Sequence, residues 1–327
     1  VDPLISLVRE SRNPQPPIEP GKFMSDLATV DTTYDRFAHD PAYVAANRAF
    51  VERLPLARVR RILDLACGTG AVGQLMLAAA PEAGLYGIDL DPVQIGLAIE
   101  NYTQLGYTVR RIDGPAGSLP AQRGRQVDLA VGSATELPFA PASFDCVMIA
   151  NAIHLIDDKV GLAGQVARIL EPGGIFAFSS GFYAGCWPPV TQQVYTEWLK
   201  EATAWIARYS AERVAAGDAP IRRVRGKSRL SPVAYGNRWL TPDEWRQMLS
   251  EQGFDVIDLN ERAVMFNHHS LAAVGAYSGL AEAQLAGYPV ELASRALAET
   301  AALALESAGV TEVQHNWIEI CARRRAA

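Results

Sequence analysis

The stretch Arg61-Ile62-Leu63-Asp64-Leu65-Ala66-Cys67-Gly68-Thr69-Gly70, followed by Ala71-Val72-Gly73, constrains this chain more than any other. A short apolar run breaks at two glycines. It then gives way to Val72, Leu75, Met76 and Ala79, which recur at helical spacing. The pattern is strand, tight turn, helix. Gly68 and Gly70 leave the main chain bare where the strand ends, so a ligand can lie against it. The first N–H groups of the helix then face that ligand. The glycines at 68, 70 and 73 spell G-x-G-x-x-G, a dinucleotide fingerprint that is weak when it stands alone.

Asp64 weighs between two nucleotide ligands. A carboxylate beside a pyrophosphate cradle repels it, whereas the same carboxylate suits the sulphonium and α-ammonium of S-adenosylmethionine. Asp89 closes a second apolar strand 19 residues beyond Gly70, and a carboxylate there can accept from both ribose hydroxyls. Asp91-Pro92 then starts a helix with a cap and a proline at its first position.

Residues 63–70 closely resemble the first motif of class I S-adenosylmethionine-dependent methyltransferases, in particular the small-molecule UbiE-like, type 11 group. Tyr34-Asp35-Arg36-Phe37-Ala38 resembles the "YD…A" lid segment of that group. Thr135-Glu136-Leu137-Pro138-Phe139 with Ser143-Phe144-Asp145 resembles its "GDA-x-x-LPF…SFD" run, with Ser133 where the group usually has Asp. Asn151-Ala152-Ile153-His154 resembles "N-A-L-H-H" beside the methyl group, and 240–254 resembles "LTP-x-E-W…GF". The resemblance covers roughly 60–180 and 240–325.

It implies an α/β fold: a Rossmann-like seven-stranded, mostly parallel sheet with helices on both faces. An N-terminal helical lid and a helical insertion after the fifth strand are added to it. The expected layout is arm and lid at 1–55, cofactor-binding core at 56–185, Trp-rich substrate cap at 186–240, and completion of the sheet at 241–327. Within it, 107–126 reads as an inserted loop, 127–134, 146–150, 175–179 and 254–259 as strands, 159–170 as a helix, and 313–320 as the last strand. That strand is expected antiparallel between the fifth and sixth.

The resemblance implies S-adenosylmethionine as cofactor, held by Tyr34, Asp64, Ala66, Gly68 and Gly70, with Asp89, Leu90, Ser133, Ala134 and Asn151. His154 is the expected proton acceptor, since an imidazole titrates near neutrality; Tyr34 and Tyr183 are the alternatives. Phe182, Trp187, Arg222 and Arg223 are expected on the substrate. Val194, Trp198, Trp205 and Tyr209 recur on one helix face, as core or as substrate cap. Arg222, Arg223, Arg225, Lys227 and Arg229 read as a solvated loop or as an anion clamp.

The expected activity is methyl transfer to carbon or oxygen of an apolar, aromatic or prenyl-type metabolite, an anionic one included, as in secondary metabolism. An NAD-type oxidoreductase on the same fold and an inactive cofactor-binding scaffold are the alternatives. A net charge of −6 argues against a nucleic-acid partner. The four cysteines are scattered, so neither a disulfide framework nor a zinc site is expected, and a reducing cytoplasm fits. His268-His269 lacks further ligands at a metal spacing, and no metal is expected. No apolar run is long enough to span a membrane. The expected partner is a small-molecule acceptor, with homo-oligomerisation left open.

Overall fold

The computed structural model of the chain describes residues 30–112, 125–224 and 239–326. Two short helices come first, α1 (Asp35–Ala38) and α2 (Pro41–Val51), the second capped by the Asp40 carboxylate. A Rossmann-like alternation follows: β1 (Arg61–Leu65), α3 (Ala71–Ala79), β2 (Gly84–Asp89), α4 (Pro92–Gln104), β3 (Thr108–Ile112), β4 (Gln126–Val131) and β5 (Phe144–Ala150). Then come α5 (Lys159–Ile169), β6 (Leu170–Ser180), α6 (Pro189–Ala215) and α7 (Pro242–Glu251). The chain ends with β7 (Phe254–Asn267), α8 (His268–Ala276), α9 (Ser278–Gln284), α10 (Val290–Ser307) and β8 (Glu312–Arg324). No helix among these residues is long and apolar enough to cross a membrane.

The strands form one sheet in the order β3-β4-β2-β1-β5-β6-β8-β7. The first six are parallel, and β8 runs antiparallel between β6 and β7, where the resemblance places the last strand. The sheet has eight strands rather than seven. The extra one is β3, at the start of the stretch 107–126 read as a loop. Its five residues Thr-Val-Arg-Arg-Ile are mostly exposed and carry no apolar alternation. It pairs because it is an edge: Arg110 reaches across to the fully buried Asp128 with two 2.7 Å bonds, and its charges guard the open side. Two other strands run longer than their apolar patterns. β6 begins at Leu170, straight from α5 through Pro172 and Gly173, and β7 continues from 259 to Asn267.

Strand residues alternate between two cores. Ile62 faces the side covered by α2–α4 and α6, while Leu63 and Leu65 face the side covered by α5 and α7. Asp64 shares its parity with Ile62 and so projects toward α3. The helix starts follow their sequence signals. Asp91 accepts from Val93 N–H at 2.8 Å, and Thr241 with Glu244 forms a reciprocal capping box. Arg53, just past α2, and Arg262 on β7 both pair with the buried Glu319 of β8, which ties the N-terminal helices to the sheet. All four cysteines are buried free thiols.

The Trp-rich stripe on α6 turns inward. Val194, Trp198 and Tyr209 are buried against α10, and Trp198 Nε1–H donates to the Leu297 carbonyl at 2.8 Å. Trp205 stacks on Tyr209, 5.1 Å between ring centres. The stripe is therefore core. The arm at 1–22, residues 24–29 of the lid, most of the loop 107–126, and Arg225, Lys227 and Arg229 lie outside the described residues.

Candidate active site

Sheet order reverses at β1: β2, β4 and β3 lie to one side, β5 and β6 to the other. Ligands of open α/β folds bind in the crevice at the carboxyl ends of strands at such a point. A cavity of about 780 Å³ opens there, within the range of small-molecule sites.

The three fingerprint glycines have different tasks. Gly68 has φ +54°, and a Cβ there would meet nothing within 4 Å, so it opens the backbone to the cavity. Its N–H donates to Asp89 Oδ2 at 2.8 Å, which staples the loop to the end of β2. Gly70 (φ +83°) and Gly73 instead make room for Tyr102 of α4. Their Cβ atoms would lie 2.6 and 2.2 Å from its ring and hydroxyl, and that hydroxyl donates to the Gly70 carbonyl. Gly70, expected on the cofactor, is thus absorbed by helix packing and does not line the cavity.

Asp64 is buried, and its Oδ2 has no hydrogen-bond partner. Burial first, and the nearby Asp89 carboxylate second, push its pKa up to about 7, against the Gly73 N–H that pulls it down. Asp89 is raised less, again by burial, while the Asp91 and Gly68 N–H groups hold it down. Asn151 lines the same crevice with its Nδ2 buried and unpartnered. Ala66 (φ +53°) and Asn151 (φ +52°) adopt left-handed backbone at the ends of β1 and β5. Such strain concentrates at ligand sites. Leu90, Ser133 and Ala134 also line the cavity, with Leu90 72% exposed on its rim. Ser133 Oγ is engaged locally with Thr135.

The candidate catalytic residues separate. Tyr34 lines the cavity, its ring edge-on to Phe37, Tyr43 and Tyr277. Burial raises its pKa well above the usual phenol value, which keeps its hydroxyl protonated near neutrality. Tyr183 does not line the cavity. Its hydroxyl donates to Glu261 at 2.6 Å on the other side of the sheet's core, which removes it from the catalytic set.

His154 does line the cavity, 4.2 Å from the Phe182 ring, with Nδ1 3.2 Å from Ser180 Oγ. Burial, then Lys159 and His315 nearby, lower its pKa to about 3. Proton acceptance near neutrality loses its physical premise, because a base so weak has little drive to take a proton. The same burial gives a stability prediction. His154 (about 3) and His315 (about 4) stay neutral when folded but take protons below about pH 6.5 when unfolded. The stability that these two imidazoles contribute should therefore be complete above pH 6.5 and fall as pH drops toward 3. Melting temperatures measured over pH 3–8 should show a shallower acid limb in His154→Gln.

On the substrate side, Phe182 lines the cavity, while Trp187, Arg222 and Arg223 do not. Arg223 Nε–H donates to the Ala286 carbonyl at 2.7 Å, and both arginines are exposed. Among the described residues no Lys or Arg lines the cavity, whereas six carboxylates do, so these two arginines form no anion clamp there. His268 and His269 stand at the start of α8, outside the cavity wall.

The wall includes residues the sequence reading passed over. Phe266, His315 and Trp317 come from β7 and β8; Val274, Tyr277 and Leu280 come from α8 and α9. His315 and Trp317 stand two apart on an apolar strand, a legible signal for one shared face. The α8–α9 stretch, rich in Ala, Leu and Gly, carries no such signal. Ser278 N–H donates to the Thr32 carbonyl at 2.9 Å and so joins the N-terminal segment to α9.

Comparison with known proteins adds to this geometry. A family model described as "Methyltransferase domain" matches residues 63–178. The O-methyltransferase rstn1 of Aspergillus nomiae is 35% identical over 142 residues, 43% of this chain and 55% of that protein. The aklanonic acid methyltransferase DauC of a Streptomyces species is 30% identical over 182 residues, 52% of this chain and 73% of that protein. The chain thus spans about half the length of the first and nearly three quarters of the second. The YcgJ protein of Bacillus subtilis has a TM-score of 0.51 at 15% identity, covering 86% of this chain and 99% of that one, a likeness of fold.

Proposed function

Because the chain belongs to the class I, S-adenosylmethionine-dependent methyltransferase family, we propose that it transfers a methyl group to carbon or oxygen of a small-molecule acceptor. The observation that carries this reading is the buried carboxylate of Asp64, whose Oδ2 has no hydrogen-bond partner, beside the open backbone of Gly68. A diphosphate is repelled there; an ammonium or sulphonium is attracted. The same carboxylate counts against a nicotinamide dinucleotide.

The residues present fit S-adenosylmethionine. Asp64 would take its ammonium and Asn151 Nδ2 would give to its carboxylate, which satisfies two buried atoms, Asp64 Oδ2 and Asn151 Nδ2, that otherwise have no partner. Asp89 keeps lone pairs for the ribose hydroxyls beyond its two backbone contacts. Leu90 offers its exposed side chain to the adenine face, with Ser133 and Ala134 beside it. When bound, the cofactor supplies a methyl group already activated by its sulphonium. The protein's own work is to align the acceptor and to exclude water. Tyr34, Tyr277 and Phe182 are placed to do this from the cavity wall.

The acceptor end is bounded by Phe182, Tyr195, Phe266 and Trp317 with two imidazoles, which favours an uncharged, apolar or aromatic acceptor. Calorimetry with S-adenosylmethionine and with NAD tests the cofactor, and turnover against a metabolite panel tests the activity. Asp89→Ala should weaken S-adenosylmethionine binding about 10- to 100-fold, since charge-assisted bonds are worth roughly 1.5–3 kcal/mol. Unchanged affinity in the folded variant would remove Asp89 from the site. Binding of NAD in preference to S-adenosylmethionine would overturn the whole reading.

A further inference from the structure

His315 is placed to do more than fill the wall. It lies on β8, three strands from β1 in the sheet order, hence about 14 Å from the Gly68 crevice at roughly 4.8 Å per strand. Its ring lines the cavity and is 4% exposed. Its Nε2 stands 2.8 Å from Trp187 Nε1 and 2.8 Å from the Gly181 carbonyl oxygen. The two neighbours make opposite demands, because an indole N–H only donates and a carbonyl only accepts. The indole cannot move its proton, whereas the imidazole can. A proton on Nε2 would set two N–H groups against each other at 2.8 Å and leave Trp187 facing no lone pair. The indole donor is served, and the Gly181 carbonyl is left without a proton from this ring, when the imidazole proton sits on Nδ1. That atom is buried and has no hydrogen-bond partner. A buried N–H left unmade is costly, so a ligand oxygen that meets it is favoured.

We propose that Trp187 fixes His315 as its Nδ1–H tautomer, and that His315 gives this N–H to an uncharged oxygen of the methyl acceptor, a carbonyl, hydroxyl or ether. Trp187 is then a positioning residue. It reaches the acceptor only through His315, which accounts for its absence from the cavity wall. The ring stays neutral near pH 7, since burial lowers its pKa to about 4 despite the Gly181 carbonyl. His154 differs, because its Nδ1 already meets Ser180 Oγ. The tautomer stands on the fold alone; the identity of the oxygen's owner rests on the methyltransferase reading above.

The chain has five histidines, so selective ¹⁵N-histidine labelling yields five ring systems, assigned by single His→Gln variants. Long-range ¹H–¹⁵N correlation at pH 7 should show His315 protonated on Nδ1 and bare on Nε2. Trp187→Phe keeps a ring to stack on Tyr195 but removes the donor, so the proton should pass to Nε2 and the Gly181 carbonyl. A wild-type proton on Nε2, or one tautomer in both proteins, overturns the Trp187 assignment. The wild-type spectrum alone decides the first point if the variant does not fold.

Acetophenone and α-methylstyrene, near-isosteres with and without a carbonyl oxygen, test the second half. Acetophenone should shift the His315 Nδ1 signal and bind wild type on the order of five- to tenfold tighter, a preference lost in His315→Phe. A silent Nδ1 signal up to the solubility limit, or equal affinity for the two probes, overturns it. Neither experiment uses S-adenosylmethionine or turnover. A protein that fails to bind the cofactor is recognised by calorimetry and leaves these results readable.

Discussion

Asp64→Asn should weaken S-adenosylmethionine binding about 100-fold or more at pH 8 and abolish its dependence on pH below 7. Removing one member of a buried, hydrogen-bonded charge pair typically costs 2–5 kcal/mol. On the reading proposed above, the binding-competent form of the wild type is the carboxylate, whose pKa burial and Asp89 push up to about 7. Affinity should therefore be level above that value, until the cofactor's own ammonium titrates, and fall toward tenfold per unit below it. The apo protein follows the opposite trend. Asp64 titrates higher folded than unfolded, so its contribution to stability is complete below about pH 3.8 and is lost as pH rises through 7. Calorimetry at pH 6, 7 and 8 on both proteins checks the first trend, and thermal melts without ligand check the second. An asparagine variant that keeps both affinity and slope would mean that Asp64 never meets the cofactor's cation.

The crevice was legible because its signals are local. An apolar run that stops at glycines, an acid at the end of the next strand and a proline after a cap each act within a few residues. Even there, sequence identity did not separate tasks: Gly68 faces the ligand side, while Gly70 and Gly73 yield to Tyr102, which is 32 residues from Gly70. Strand β3 escaped because an edge strand held by Arg110 and Asp128 has no apolar pattern to read. Tyr183 stands next to Phe182 in the chain, just past the end of β6, yet it joined the core under α5 and α7 while Phe182 lines the cavity. His154 lines the cavity, and part of what surrounds it, Ser180, Phe182 and His315, comes from farther along the chain. The acceptor end is assembled from Phe182 just past β6 and from α6, β7 and β8, segments far apart in the chain, as in the contact across 134 residues between Gly181 and His315. No periodicity announces that meeting.

The Trp stripe on α6 carries the largest stability prediction. Trp198 is 1% exposed, lies against Gly275 of α8 and donates its N–H to Leu297 of α10. A Cβ on Gly275 would stand 2.7 Å from its ring, so the helices meet closely around this one indole. Trp198→Ala should cost about 3–5 kcal/mol, the usual range for a large aromatic removed from a core that cannot collapse onto the gap. The lost bond leaves the Leu297 carbonyl unserved by this donor and adds to the cost. Trp198→Phe should recover much of the packing and keep the deficit of the missing donor. If the stripe were a substrate cap, Trp198→Ala would instead raise the acceptor's KM and leave unfolding by denaturant nearly unchanged. The packing on α10 predicts the reverse order: a large loss in the unfolding free energy, with S-adenosylmethionine affinity at a permissive temperature close to wild type. Tyr195, one residue-face away on the same helix and part of the cavity wall, is the internal control. Tyr195→Leu should move acceptor kinetics by more than it moves stability.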